Sequence, residues 1–174
     1  IIESLNRYFS LKTYHGFSKM ILTLRNDYPD PKDFESAVIR TYSNCYFIID
    51  EAQNLRIRDG PVLTEEARIK REEKKKDKIE TYRNIHYVLQ VAKQIRIIVA
   101  TATPMYDKVH EIRSIMNLVL PPDNQIPETI NFATVPLDQI VKYFLGYVSY
   151  VSRAANTAEP EYIGVPIYGD VTVG

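Results

Sequence analysis

A chain of 174 residues, 45% of them hydrophobic, suits one domain with a sizeable core. Its 22 Lys and Arg balance 22 Asp and Glu, so the formal net charge is zero and no global basic field draws the chain to nucleic acid; any such contact has to be local. One cysteine, Cys45, excludes an intrachain disulfide and a cysteine-clustered zinc site, which fits a reducing compartment. No apolar run approaches the roughly 18 residues of a membrane span. The opening IIESLNRYFS has neither the basic n-region nor the small-residue cleavage site of a secretory signal. Because it begins in mid-pattern at Ile1 and closes on VTVG in mid-strand, the chain reads as an excerpt of a longer one.

Ile2, Leu5, Tyr8 and Phe9 stand at helical spacing. SLKTY follows and reads as a short strand, with Lys12 and Tyr14 on one side, broken by Gly16. FSKMILTL, Phe17 to Leu24, predicts a short amphipathic helix, and NDYPDPKD, with two prolines and three acids, a surface loop. Asp33 is placed to cap the next helix, Phe34 to Tyr42, whose Phe34, Val38 and Tyr42 share a face. Both helices lead into YFIIDEAQN in the βαβ manner.

Tyr46, Phe47, Ile48 and Ile49 are aromatic or β-branched without alternation, which predicts a strand buried on both faces of a parallel sheet, with Cys45 packing at its start. Asp50 and Glu51 follow at its carboxyl end, the edge at which open α/β sheets bind ligands. An aspartate so placed can hold Mg²⁺, and a neighbouring glutamate can orient or deprotonate a water. A strand running into a solvated acidic turn is the plain alternative.

An IRDGP turn leads to TEEARIKREEKKKDK, Thr64 to Lys78. Thr64 as cap, Glu65 and Glu66 in the first turn, and the pairs Glu66 to Lys70 and Glu72 to Lys76 predict a solvated helix. Seven basic against five acidic residues from Glu65 to Lys78 is too small an excess to favour a nucleic-acid patch. Ile79, Tyr82, Leu89 and Ala92 then lay an apolar stripe that docks on the sheet. RIIVATATPM, Arg96 to Met105, is a second short β-branched run, closing in small hydroxyl residues and a proline. If the two strands are neighbours, Thr101 and Thr103 share an edge with Asp50 and Glu51.

Val109, Ile112, Ile115, Met116 and Val119 define an amphipathic helix ended by Pro121 and Pro122, beside which His110 has no partner histidines or cysteines for a metal. Four prolines from Pro121 to Pro136 mark a shift in composition, so residues 1–121 are read as the core unit and 122–174 as linker and lead into a further region. Leu137 to Leu145 predicts a helix stopped by Gly146, and YVSYV alternates after it.

The DEAQ box, Asp50 to Gln53, with Thr101-Ala102-Thr103-Pro104 after a buried strand, resembles motifs II and III of superfamily-two helicases and translocases. YSNCYFIIDEAQNLR, TATPMYDKVHEIRSIMNLVLP and GYVSYVSR look most like the helicase-like NTPases and early transcription factors of nucleocytoplasmic large DNA viruses, the poxvirus type included, with Swi/Snf-type translocases more distant. The resemblance covers roughly Tyr8 to Gly164, beyond Pro121 mainly through GYVSYVSR. It implies an α/β chain forming part of a RecA-like P-loop NTPase domain, a three-layer αβα architecture around a parallel sheet. The cofactors it implies are ATP and Mg²⁺. Asp50 would hold the metal through water, Glu51 would activate the attacking water, and Gln53 would pair with Thr101 or Thr103. Thr13 and Tyr14, with His15 beside them, would correspond to the strand and TY pair of motif Ib that contacts the nucleic-acid backbone. The family often has histidine where Gln53 stands; glutamine keeps the hydrogen bonding without the titratable proton.

A phosphate-binding loop is written GxxxxGK followed by Ser or Thr, and this sequence has no Gly-Lys dipeptide. Only 49 residues precede Asp50, so the loop is expected upstream of Ile1. The arginine-bearing motif of the second domain is missing too, and the chain by itself is expected not to hydrolyse ATP. The expected function is therefore part of a nucleic-acid-dependent, helicase-like motor of a large DNA virus, acting in transcription or genome handling. Its partners would be nucleic acid, DNA before RNA, and the viral RNA polymerase or transcription complex. Its place would be the virion or host cytoplasm, with no membrane. The rival is a non-catalytic RecA-like module within a transcription complex. A phosphatase-like Mg²⁺ enzyme would need further Asp or His at other strand ends, which this sequence does not offer.

Overall fold

The computed structural model describes residues 9–55, 65–104 and 111–149, residues 65–74 by their backbone alone. Two four-residue strands, β1 (Tyr46–Ile49) and β2 (Arg96–Val99), pair in parallel with Tyr46 opposite Arg96 and Ile49 opposite Val99. The two unalternating runs are neighbours, as expected. Parallel strands need a long crossover, and here it includes a 27-residue helix, Glu65–Val91. At the strand entries, the Asn44 N–H donates to the Lys93 carbonyl (3.0 Å), the Lys93 N–H to the Ser43 hydroxyl (2.9 Å) and the Arg96 N–H to the Cys45 carbonyl (3.0 Å). These bonds set the register before the first ladder residue.

Burial of the strands on both faces is corrected. Phe47, Ile49, Ile97 and Val99 face a layer of helices, whereas Tyr46, Ile48 and Ile98 are 77%, 70% and 54% exposed. The described residues thus form two layers, a two-stranded parallel sheet and the helices on one of its faces, an α/β arrangement without the second helical layer that the resemblance implies.

Helix α1 (Tyr14–Asp27) begins at the last residue of the expected SLKTY strand, whose Ser10 to Thr13 form no regular element, and extends the expected Phe17 to Leu24 helix at both ends. Thr13 has extended dihedrals (φ −73°, ψ 156°), which is the strand-like feature in the pattern, but it serves as an N-cap: its hydroxyl accepts from the Gly16 N–H at 3.0 Å and its carbonyl from the Phe17 N–H at 2.9 Å. Gly16 does not break the element. A Cβ there would lie 3.0 Å from the Thr13 hydroxyl, so glycine leaves room for the cap. Thr13→Ala is expected to lower stability by about 1 kcal/mol, measured by chemical denaturation, since a lost cap costs roughly 0.5–2 kcal/mol. An unchanged midpoint would show that water replaces the cap at no cost.

Tyr28, at φ −126° and ψ 77° ahead of Pro29, ends α1, as the residue before proline is pushed out of helical geometry. Helix α2 (Pro31–Tyr42) is capped by Asp30, not Asp33: Asp30 Oδ1 accepts from the Lys32 N–H (2.9 Å) and the Asp33 N–H (3.3 Å). Pro31 at the first helical position, with φ already suited to a helix, moves the start upstream. Asp33 then lies in the first turn, where its charge meets the positive end of the helix.

The crossover helix α3 (Glu65–Val91) buries Thr81, Asn84, Ile85, Val88 and Leu89 along one stripe, continued by Ala92. Ile85 and Leu89 meet Ile49, Leu55 and Leu118, while Val88 meets Ile21, Phe34 and Val38 of α1 and α2. The Asn84 amide donates to the Ser18 hydroxyl at 2.9 Å, a buried polar tie between α3 and α1. Thr64, the IRDGP turn and the side chains of Glu66, Lys70 and Glu72 of the expected pairs lie outside the described residues, and Lys76 is exposed.

Helix α4 (Glu111–Val119) presents Ile115 and Leu118 to the sheet-side core and Met116 to a third cluster with Leu120, Ile126 and Tyr143. The segment after Pro121 is seated by Asn117, whose side chain accepts from the Ile126 N–H (2.8 Å) and donates to the Ile126 carbonyl (3.1 Å). Helix α5 (Leu137–Phe144) follows near its expected bounds, and Gly146 takes φ 83° just beyond it. Ile2, Leu5, Tyr8, Val109 and His110 lie outside the described residues, as does the chain from Tyr150. Among the described residues no helix is long and apolar enough to cross a membrane.

Candidate active site

Where the parallel ladder ends, the chain turns sharply. The Ala100 N–H donates to the Ile49 carbonyl (2.8 Å) and the Ala52 N–H returns to the Ala100 carbonyl (3.0 Å), which ties the carboxyl ends of β1 and β2 together. Between these bonds lie Asp50 and Glu51, both exposed, followed by a 3-10 turn, Ala52–Leu55, that buries Ala52 and Leu55. Glu51 takes φ 54°, in the left-handed region. A non-glycine residue held there costs roughly 1–3 kcal/mol.

The local bonds offset that cost. The Glu51 N–H donates to its neighbour Asp50 Oδ1 (2.9 Å), the Asn54 N–H to the Glu51 carbonyl (2.9 Å), the Ala52 N–H to Ala100, and the Tyr14 hydroxyl to the Asp50 carbonyl. At about 0.5–1.5 kcal/mol each, four such bonds together are of the same order as the strain.

A second set of bonds runs through side chains. The Gln53 amide nitrogen donates to Glu51 Oε2, the Thr101 hydroxyl donates to Gln53 Oε1 (2.6 Å), and the Thr103 N–H donates to the Thr101 hydroxyl oxygen (3.2 Å). An amide suits this position because it offers a donor to a carboxylate and an acceptor to a hydroxyl at once. The structure therefore brings Asp50, Glu51, Gln53, Thr101 and Thr103 to one sheet edge. Of the two expected partners for Gln53, the side chain that reaches it is Thr101. Thr103 joins through its main chain, and Ala102 is exposed between them.

Tyr14 also comes to this edge. Its ring packs against the core cluster that holds Ile49 and Leu55, and its hydroxyl closes on the Asp50 carbonyl. Burial, and then the nearby Asp50 and Glu51 charges, push its phenol above the ordinary tyrosine value, so it stays a donor at neutral pH. Thr13 lies one residue away, occupied as a cap. His15 stands beside a cleft of about 290 Å³ between α1, Asn54 and α3, 3.7 Å from Asp77. Sequence reading missed the tie between Tyr14 and Asp50. The two are 36 residues apart, and no local pattern links them.

The donor set suits a hard divalent cation. Asp50 Oδ1 is engaged by a main-chain N–H, and the exposed carboxylate has a second oxygen that a hydrated cation could use. Among the described residues no three His, Cys, Asp or Glu cluster as a ready-made metal cage. Mg²⁺ characteristically keeps several waters and takes one or two carboxylates plus substrate phosphates, so a lone carboxylate edge is compatible with it.

A short parallel sheet with two carboxylates, an amide and a threonine pair at its carboxyl edge is the kind of site at which α/β proteins bind ligands. In sequence the chain is similar to two curated viral proteins. It is 30% identical over 124 residues to "Putative helicase 087L" of Invertebrate iridescent virus 3, covering 71% of this chain and 11% of that protein. It is 23% identical over 172 residues to "Putative helicase 009L" of Frog virus 3 (isolate Goorha), covering 96% of this chain and 16% of that protein. The likeness is thus to helicase-like proteins of large DNA viruses, of whose length the chain spans 11% and 16%. No protein-family model and no solved structure matches it.

Proposed function

We propose that this chain forms part of the motor core of a nucleic-acid-dependent ATPase of the superfamily-two helicase class, with a partial RecA-like fold, serving transcription or genome handling in a large DNA virus. The observation that carries the reading is the continuous set of bonds from Glu51 through Gln53 to Thr101 at the carboxyl edge of two parallel strands. A bystander acidic turn has no need of such a link.

In this proposal Asp50 holds Mg²⁺ through water, Glu51 orients and deprotonates the attacking water, and Gln53 joins that carboxylate to Thr101-Ala102-Thr103. Bound Mg²⁺ supplies charge neutralisation on the nucleotide phosphates. Thr13 is assigned to the nucleic-acid side, whereas Tyr14, whose hydroxyl closes on the Asp50 carbonyl, is assigned to the catalytic edge; DNA is the favoured partner before RNA, with the viral RNA polymerase as a protein partner in the virion or host cytoplasm.

The test is steady-state ATP hydrolysis by the full-length protein with and without saturating duplex DNA, single-stranded DNA or RNA. Stimulated turnover is expected. Turnover at background under all conditions would leave a non-catalytic module of a transcription complex. Gln53→Ala refines the test: ATP affinity is expected to stay nearly intact while stimulation by nucleic acid falls about two- to twelve-fold, the worth of one coupling hydrogen bond. Equal loss in basal and stimulated rates would make Gln53 structural only.

A further inference from the structure

We infer that Tyr14 is a positioning residue for Glu51, acting through the peptide plane between Asp50 and Glu51; the inference rests on the proposed role of Glu51 in water activation. That peptide is held from both sides: its carbonyl accepts from the Tyr14 hydroxyl and its N–H donates to Asp50 Oδ1 at 2.9 Å. The torsion that follows it is φ of Glu51, at 54°. Rotating the plane changes the direction in which the Glu51 side chain leaves the main chain, so pinning the plane aims the carboxylate. Gln53 secures the same side chain at its far end. Glu51 is thus anchored twice, once through its main chain by α1 and once through its carboxylate by the 3-10 turn.

Tyr14 is suited to this because its two parts do separate things. The ring packs on the core cluster under the sheet edge, which fixes the hydroxyl in place, and the hydroxyl alone reaches the carbonyl. Tyr14→Phe therefore keeps the packing and deletes one bond.

Three measurements on the full-length protein test the inference. Tyr14→Phe is expected to lower nucleic-acid-stimulated kcat about two- to twelve-fold, with KM for ATP and affinity for DNA unchanged. Combined with Gln53→Ala, which removes the other anchor of Glu51, its effect on kcat is expected to depart from additivity, because both changes act on one group. Amide exchange at Ala52 is expected to quicken in Tyr14→Phe as the turn loses an anchor. Unchanged kcat beside an inactive Glu51→Gln would overturn the inference, as would a loss confined to DNA affinity, which would make Tyr14 a nucleic-acid contact. If Glu51→Gln itself keeps full turnover, the water-activation reading fails, and the Ala52 amide then decides whether Tyr14 holds the turn: exchange as slow as in the wild type overturns that as well.

Discussion

Replacing Glu51 with glutamine in the full-length protein is expected to bring ATP turnover to background both with and without nucleic acid, a loss on the order of 10²–10⁴-fold. The substitution is close to isosteric and retains a hydrogen-bonding oxygen, so the turn should survive it. What is lost, on the proposed role, is the charge that takes a proton from the attacking water. Asp50 does not replace it, since one of its oxygens is already engaged by the Glu51 N–H and the proposal gives its carboxylate to Mg²⁺. Nucleotide affinity should change little, because phosphate contacts lie elsewhere in the proposed motor. The measurement pairs steady-state turnover with equilibrium binding of a nucleotide analogue. Turnover within a few-fold of the wild type would show that Glu51 does not activate the water and that the acidic pair is a solvated turn.

Leu118→Ala is expected to destabilise the protein by about 2–5 kcal/mol, the range for emptying a buried leucine site. Leu118 is fully buried in the cluster that joins α4 to Ile49, Ala52 and Leu55 of the strand end and its turn, and to Ile85 and Leu89 of α3. Elements from three parts of the chain meet there, so the cavity left behind has little freedom to collapse. The same cluster underlies the 3-10 turn that carries Gln53, and the variant is expected to loosen the site as well as lower stability. Leu118→Met, which conserves volume, should cost less than about 1.5 kcal/mol. Urea denaturation of both variants provides the check. A loss below about 1 kcal/mol for Leu118→Ala would mean that the site repacks and that α4 is not clamped to the sheet as described.

Both strands were legible because each holds three or four consecutive β-branched or aromatic residues, and their parallel pairing was implied by the resemblance of the segments that follow them. The DEAQ and TATP segments were legible for another reason: they are local strings at strand ends, so their chemistry can be read without knowing what surrounds them. The pairing of Gln53 with Thr101 or Thr103 was implied by the resemblance, and the structure selects Thr101. The start of α1 was misread because an N-cap and a strand residue share extended dihedrals. Thr13 satisfies the pattern for both, and the hydroxyl's bond to the Gly16 N–H decides between them. At α2, Asp30 and Asp33 are both good caps by residue type. The proline between them favours the earlier start, through its fixed φ.

What the sequence by itself determined was composition, period and punctuation: two buried-type runs, the helices between them, and acids and hydroxyls at the carboxyl ends. These are properties of a few consecutive residues, and the physics that makes them is short-ranged. Tertiary structure alone decided which face of the strands is covered, since Tyr46 and Ile48 are as apolar as Phe47 and Ile49 and only the packing of α1 to α4 distinguishes them. It also decided that Leu118, outside the apolar stripe read from the sequence, is fully buried, and that Tyr14 closes on the Asp50 carbonyl. Those outcomes depend on where helices distant in sequence come to rest, and hydrogen bonds and contacts between residues tens of positions apart leave no mark in local pattern.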